Sequence, residues 1–412
     1  MAMQRFLSFK LRLSTIQYCS LIFGALLFLI PFTTQAATKA TAVDIATCKK
    51  WFPPPFKQQF AGGFTISIRS SYKFVTVVNI NNPAEKRYYL LKSKRGLKKH
   101  PELLPQACLK LNSILVPVKR VVAHSTTHLA TIEQLGEGRS VKGFSNLALI
   151  TSSSLLDAVS KKQLVDVLFP PNPERVITLN PDLVMVYIAR SAQMEGVAAL
   201  ERQHLPVVVN QDYREQSALA RAEWIKFVAV FYDKEDLAQQ IFKQIVDRYQ
   251  ALVIKARGAA SRSRPVVLLG SNRHGVWSAP GLNSDLVQMV RDAGGRYLFS
   301  DIATKGKEHR VSLRHEQVLS RLAAVNFWFP HNGWKTEQDL WSEDRRYQRM
   351  DGLKSVAIYN NNRQLNSQGG NNYWEMAVMR PDLLLMDLIR MIHPAILPDH
   401  KLHWYHPLKL AR

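Results

Sequence analysis

The chain is short of acidic residues and of cysteine. Its 412 residues hold 32 Asp and Glu against 55 Lys and Arg, a formal charge of +23, and only three cysteines. Long apolar runs are also missing, apart from one charge-free stretch at residues 19–32. No Gly-x-Ser-x-Gly elbow and no Gly-rich loop after a strand occurs, and no pair of carboxylates stands out, which leaves hydrolase and nucleotide chemistry without a motif. No aromatic RNA-binding strand, zinc-finger spacing or recognition helix is present, so nucleic acid is the weakest partner for this basic chain. An anionic membrane surface, an acidic ligand or a merely solvated surface remain. What is there reads as ordinary globular protein: 46% hydrophobic and 21% charged residues, and enough length for two or three domains.

Arg5, Lys10 and Arg12 precede the apolar stretch, and Thr34, Gln35 and Ala36 follow it with small residues at the positions a signal peptidase reads. The stretch falls below the roughly 20 residues that span a bilayer comfortably. It therefore predicts a cleaved signal peptide over 1–36 and a periplasmic protein, with an uncleaved anchor as the alternative. Cys19 departs with the signal, and the residues before it lack a lipoprotein cleavage box. Cys48 and Cys108 remain as an even pair in an oxidising compartment, and a disulfide between them is expected. Two separate buried thiols are the alternative.

Residues 37–118 predict a β-rich appendage. Candidate strands lie at 64–68, 73–80 and 87–91, with turn chemistry over 79–83. Beyond it, short β-branched runs at 120–122, 183–187, 207–209, 266–269 and 326–329 alternate with helical patterns, which predicts α/β units. They group into lobes at 119–232 and 259–412. Between them, 233–258 predicts one long helix with Asp233 as N-cap, an apolar stripe of Leu237, Ile241, Ile245, Tyr249, Leu252 and Ala256, and Gly258 at its stop. A gapless internal repeat aligns 174–186 (ERVITLNPDLVMV) with 316–328 (EQVLSRLAAVNFW). The fold class is thus α/β: two pseudo-symmetric lobes joined by one long rigid helix, with a small β-rich N-terminal appendage.

Residues 119–125 (KRVVAHS), 129–136 and 141–143, then 173–184 (PERVITLNPDLV), 222–227, 280–284, 292–297 and 380–385 (RPDLLL), together with His393 and Pro394, form an ordered set. In order and spacing it resembles ABC-importer substrate-binding proteins for iron-siderophores, haem and vitamin B12, over about residues 113–407. The resemblance implies capture of a metal chelate between the lobes and delivery to a permease dimer in the inner membrane, by a monomer that is not an enzyme and has no cofactor of its own. It also implies that Glu174 and Glu316, equivalent in the repeat, dock onto permease arginines. The alternative for each is a helix-starting acid, favourable there by about 0.3–1 kcal/mol.

Loops at strand C-terminal ends would line such a cleft. Those of the first lobe offer Ser125, Thr126, Thr127 and His128, Arg190, and Tyr213; those of the second offer Arg273, Trp277, Trp334, Tyr373 and Trp374. Rings stack on flat chelates and guanidinium pairs with carboxylates. Core packing is the alternative for each Trp, and a surface charge for each Arg. His124 and His128 lie four apart, but a strand end between them removes the helical geometry a metal would need, so no metal site is expected. A cell-envelope enzyme on the same lobes, or a basic adaptor for polyanions, are the other classes of function.

Overall fold

The computed structural model describes residues 37–99, 103–109, 111, 113–261, 263–301, 310–349 and 351–409. The expected signal peptide lies outside the described residues. The chain divides into Met1–Val43 and Asp44–Arg412. The first contributes only the start of a helix, Ala37–Trp51, and all that follows concerns the second.

Four strands build the appendage. β1 (Phe64–Arg69), β2 (Tyr72–Asn79) and β3 (Asn82–Ser93) run antiparallel, and β4 (Ser113–Val116) joins β3 in parallel. Strand side chains alternate between faces. Val75 and Val77 therefore join the main core shared with the first lobe, while Tyr72 and Phe74 join a second cluster with Phe52, Leu90, Cys48 and Cys108. A disulfide links Cys48 to Cys108 and ties the helix Ala37–Trp51 to the short helix Gln106–Leu109. The helix at 37–51 departs from the β-rich expectation. Its threonines, Val43 and Ile45 favour strand locally, but Cys48 and Phe52 are buried against the sheet.

The first lobe holds β5 (Val121–Ala123), β6 (Val141–Phe144), β7 (Val165–Asp166), β8 (Leu183–Val186) and β9 (Val207–Val209), all parallel in the order β7-β6-β5-β8-β9. The second begins with β10 (Val266–Leu269). It then inserts a small antiparallel sheet of β11 (Ser271–Arg273), β12 (Val276–Pro280) and β14 (Arg310–Arg314), while β13 (Arg296–Tyr297) pairs with β10. β15 (Phe327–Phe329), β16 (Ala357–Asn360) and an antiparallel β17 (His406–Pro407) complete the order β13-β10-β15-β16-β17. β5, β8, β10 and β15 are apolar along their whole length, as strands covered on both faces require. The lobes' strand orders differ, but the repeat has a structural counterpart. In each lobe the helix holding the repeat's Glu precedes the strand that pairs with the lobe's first strand.

The helix Glu235–Ala260 links the lobes and runs about 39 Å at 1.5 Å per residue. Its buried stripe is Ala238, Phe242, Ile245, Tyr249, Leu252 and Ala256, widened by Val246 and Val253. Leu237, expected within it, is exposed. Asp233 is not the cap: its φ is +55° and its carboxylate accepts from Lys73 Nζ at 2.6 Å and Ser93 Oγ at 3.0 Å. Nor does Gly258 stop the helix, which continues to Ala260. Further along, Arg248 donates to Asp382 and Tyr249 to Asp292, both at 2.7 Å, fixing the helix to the second lobe.

Two buried carboxylates attach the appendage to the first lobe. Glu223 accepts from the backbone N–H groups of Gln59, Phe60 and Ala61 at 2.7–2.9 Å, and Glu215 from those of Gly62 and Gly63. Lys73 completes the attachment by donating to the Val230 carbonyl at 2.9 Å. Orphaning a buried donor costs about 1–3 kcal/mol. Glu223→Ala is therefore expected to destabilise the protein by at least about 3 kcal/mol, read as a lower urea midpoint, with Glu223→Gln intermediate. An unchanged midpoint in both variants would remove these bonds from the account of stability.

Candidate functional site

The C-terminal ends of both parallel sheets face one cleft of about 690 Å³ between the lobes. From the first lobe come Arg190, Tyr213 and Arg221; from the second, Ser278, Asp285, Arg310, His331, Tyr373 and Trp374. Gly270 forms part of the floor at φ +89°, where a Cβ would lie 2.1 Å from the Ser278 carbonyl oxygen, so only glycine fits.

The cleft carries more positive than negative charge. Arg221 bridges the lobes, with Nη1 2.7 Å from Asp285 and Nη2 3.5 Å from the buried Asp212. Burial works against its charge, but the two carboxylates outweigh that and hold its pKa above the ordinary value. Burial raises Asp212 in turn, against the pull of Arg221. Arg310 donates to Ser278 Oγ at 2.8 Å. Arg310 and Arg190 have no acidic partner among the described residues. One wall is aromatic: His331 packs on Tyr373 and Trp374 with ring centroids 5.2 and 6.1 Å away. Burial pushes His331 down to about 3, so the ring is neutral, with Nε2 2.6 Å from the Tyr405 hydroxyl. Trp374 is 51% exposed, the one tryptophan among the large exposed apolar side chains. Opposite, Tyr213 lies under the Arg214 guanidinium and against Tyr187, which in turn stacks on Phe169.

Four of the residues expected from sequence, Arg190, Tyr213, Tyr373 and Trp374, meet in this cleft. The others lie elsewhere. His128 is wholly buried on the helix Thr126–Gln134. Trp277 sits on β12, where alternation sends Ser278 and Pro280 to the cleft and Trp277 into the core, its Nε1 donating to the Leu269 carbonyl at 3.0 Å. Trp334 is buried edge-on against Trp328. Ser125 caps its helix by accepting from the Thr127 N–H. Thr126 Oγ1 donates to the Trp374 carbonyl at 3.0 Å, so this loop joins the lobes rather than lining the cavity. The side chain of Arg273 lies outside the described residues. Sequence reasoning missed Arg221, Asp285, Arg310 and His331. Asp285 had a local signal, as the first residue of a Ser284-capped helix.

A latch beside the cleft adds a further connection between the lobes. The buried Glu375 carboxylate accepts from Thr151 N and Oγ1 at 2.7 and 2.6 Å and from Ser152 N at 3.2 Å. Asn366 donates to the carbonyls of Ala148 and Ile150 at 2.8 and 2.7 Å. Gly370 lets the backbones approach, since a Cβ there would meet the Ala148 oxygen at 2.7 Å.

A family model described as periplasmic binding protein matches residues 121–364. The fold is similar to a periplasmic binding protein from Veillonella parvula, at 12% identity and TM-score 0.53 over 78% of this chain and 98% of that one. It is also similar to a periplasmic heme binding protein from Pseudomonas aeruginosa, at 15% identity and TM-score 0.51 over 72% and 99%. By sequence, an uncharacterized lipoprotein of Methanocaldococcus jannaschii is 22% identical over 301 residues, 71% of this chain and 69% of that protein.

The buried histidines at the rim of the first lobe set an acid limit. Burial pushes His124 and His128 down to about 3, below the roughly 6.5 of an unfolded chain. The folded rings stay neutral while the unfolded ones protonate. Stability from these rings is therefore full above about pH 6.5 and falls toward pH 3 by about 1.4 kcal/mol per pH unit and ring. Urea unfolding at pH 6.5 and 5 is expected to show a loss of about 3 kcal/mol from these two rings, and His128→Leu a shallower slope. A flat profile over that window would contradict the burial of both rings.

Proposed function

The chain belongs to the periplasmic binding protein family, and from that premise we propose that it captures a metal chelate, an iron(III)-siderophore, haem or cobalamin-type ligand, and delivers it to an ABC permease. The observation that carries this reading is the cleft itself. It presents an aromatic wall of His331, Tyr373 and Trp374 and two guanidinium groups, Arg190 and Arg310, without acidic partners among the described residues. Conjugated chelates stack on such a wall, and peripheral carboxylates pair with such groups. The linking helix and the Glu375 latch suit a preformed cleft for a large, stiff ligand.

Glu174 and Glu316 are exposed first-turn residues of equivalent helices in the two lobes. A two-lobed protein meeting a twofold permease needs two equivalent anchors, and carboxylate–guanidinium pairing fixes orientation as well as adding energy. Glu316 is held by Arg346 at 3.0 Å, which orients it and is exchangeable at this exposed site.

Native mass spectrometry of protein recovered from its own periplasm would name the ligand. With that ligand, Trp374→Ala and Arg190→Ala with Arg310→Ala are each expected to weaken binding at least about tenfold, read by tryptophan fluorescence or calorimetry. Unchanged affinity in both would move the site elsewhere. Glu174→Ala with Glu316→Ala is expected to keep solution affinity and abolish uptake through the cognate permease. Normal uptake would leave the two acids as helix-starting residues only.

A further inference from the structure

The appendage is far more basic than the rest of the chain. Residues 37–118 hold 14 Lys and Arg against three Asp and Glu, nearly half of the net charge in a fifth of the length. Some of these charges are satisfied within the fold. Lys73 meets Asp233, Arg87 pairs with Glu201 at 2.6 Å, and Arg69 lies over Trp51 and donates to its carbonyl. Lys49, Lys50, Lys94, Arg95 and Lys98 are different: all five are exposed and have no acidic partner among the described residues.

Two packing facts put these five on one side of the appendage sheet. Lys49 and Lys50 follow Cys48, whose disulfide brings its Cα within 4.9 Å of the Cα of Cys108. Lys94, Arg95 and Lys98 belong to the short helix Lys94–Lys99, and Leu97 of that helix packs into the same cluster as Cys48, Trp51, Phe52 and Leu104. The segment pinned by Cys108 also carries two uncovered leucines, Leu103 at 95% and Leu109 at 62% exposure. Lone exposed apolar residues are ordinary. Two of them on a disulfide-anchored segment beside five unpaired cations match the chemistry of a surface that meets headgroups with its charges and the acyl boundary with its apolar tips.

We propose that this side of the appendage, Lys49, Lys50, Lys94, Arg95 and Lys98 with Leu103 and Leu109, is a docking surface for anionic phospholipid. The charges supply long-range attraction, screened over about 8 Å at physiological salt. The leucines supply the part that salt does not screen. A nucleic acid or an acidic polysaccharide would use the cations and leave the leucines idle, which separates these partners from a membrane. The surface does not depend on what the inter-lobe cleft binds.

The test is co-sedimentation of the exported protein with phosphatidylcholine vesicles that do or do not contain about 30 mol% phosphatidylglycerol, at about 0.05 and 0.5 M salt. Binding is expected to the anionic vesicles only, weaker at high salt. Each Lys or Arg near such a surface is worth about fivefold in partition, so Lys94→Glu, Arg95→Glu and Lys98→Glu together are expected to lower binding by about a hundredfold or more. Leu103→Ser with Leu109→Ser is expected to abolish the fraction that survives high salt. All five positions are exposed, and an unchanged melting temperature checks folding. Equal binding to neutral and anionic vesicles, or an unaffected triple variant, would overturn the proposal. So would a leucine variant that binds anionic vesicles like the parent at both salts, which would make the surface a general polyanion site.

Discussion

The separation of the two lobes is fixed at two places, and the cleft depends on both. On one side the helix Glu235–Ala260 packs on each lobe and is held to the second by Arg248 and Tyr249. On the other, Glu375 and Asn366 of the second lobe take up the backbone of residues 148–152 in the first. A single tether would leave a hinge; two tethers restrain the width of the gap. Arg221, reaching across to Asp285 within the cleft, adds a polar contact between those ties. A site of this kind selects by shape, because its walls have little freedom to adapt.

Chemistry is distributed unevenly over those walls. The first lobe offers guanidinium groups and Tyr213; the second offers the aromatic wall and the hydroxyl of Ser278 beside Arg310. The parallel sheets explain part of this: the loops after β8, β9 and β15 end at the cleft and place Arg190, Tyr213 and His331 there. The small antiparallel sheet inserted in the second lobe adds a surface that a plain βα succession would not give, and it supplies Ser278, Pro280 and Arg310.

Periodicity made the frame legible in the sequence. Strand runs at 183–187, 207–209 and 266–269 fall on β8, β9 and β10, and the apolar spacing from Ile245 to Ala256 lies on the buried face of the linking helix. Short apolar runs and a stripe with period near four are local properties, so they survive reading in one dimension. The site was less legible because its residues are defined by direction. Trp277 and Ser278 are neighbours in sequence and face opposite sides of β12. His128 lies on a helix whose inward face is set by the sheet beneath it. Arg221 and Asp285 owe their meeting to the packing of helices from different lobes, which no spacing in the chain announces. The helix at 37–51 was hidden for a related reason, since Cys48 near its end is held against the sheet by a disulfide partner sixty residues away.

The attachment of the appendage also has a consequence in time. Gln59–Gly63 and Lys73 find their partners 152 to 164 residues further along the chain, at Glu215, Glu223, Val230, Asp233 and Glu235. Contacts of such long sequence separation form late, because a large loop must close before they repay its entropy. The appendage, made before the lobe that covers it, is therefore finished after that lobe. Until Glu235 is available, β1 and β2 have no lobe to cover them, and one face of an apolar sheet stays open. For a chain that emerges from its N-terminus, 152 to 164 further residues must appear before these contacts of the appendage can form, and that interval is when a holding chaperone has most to protect.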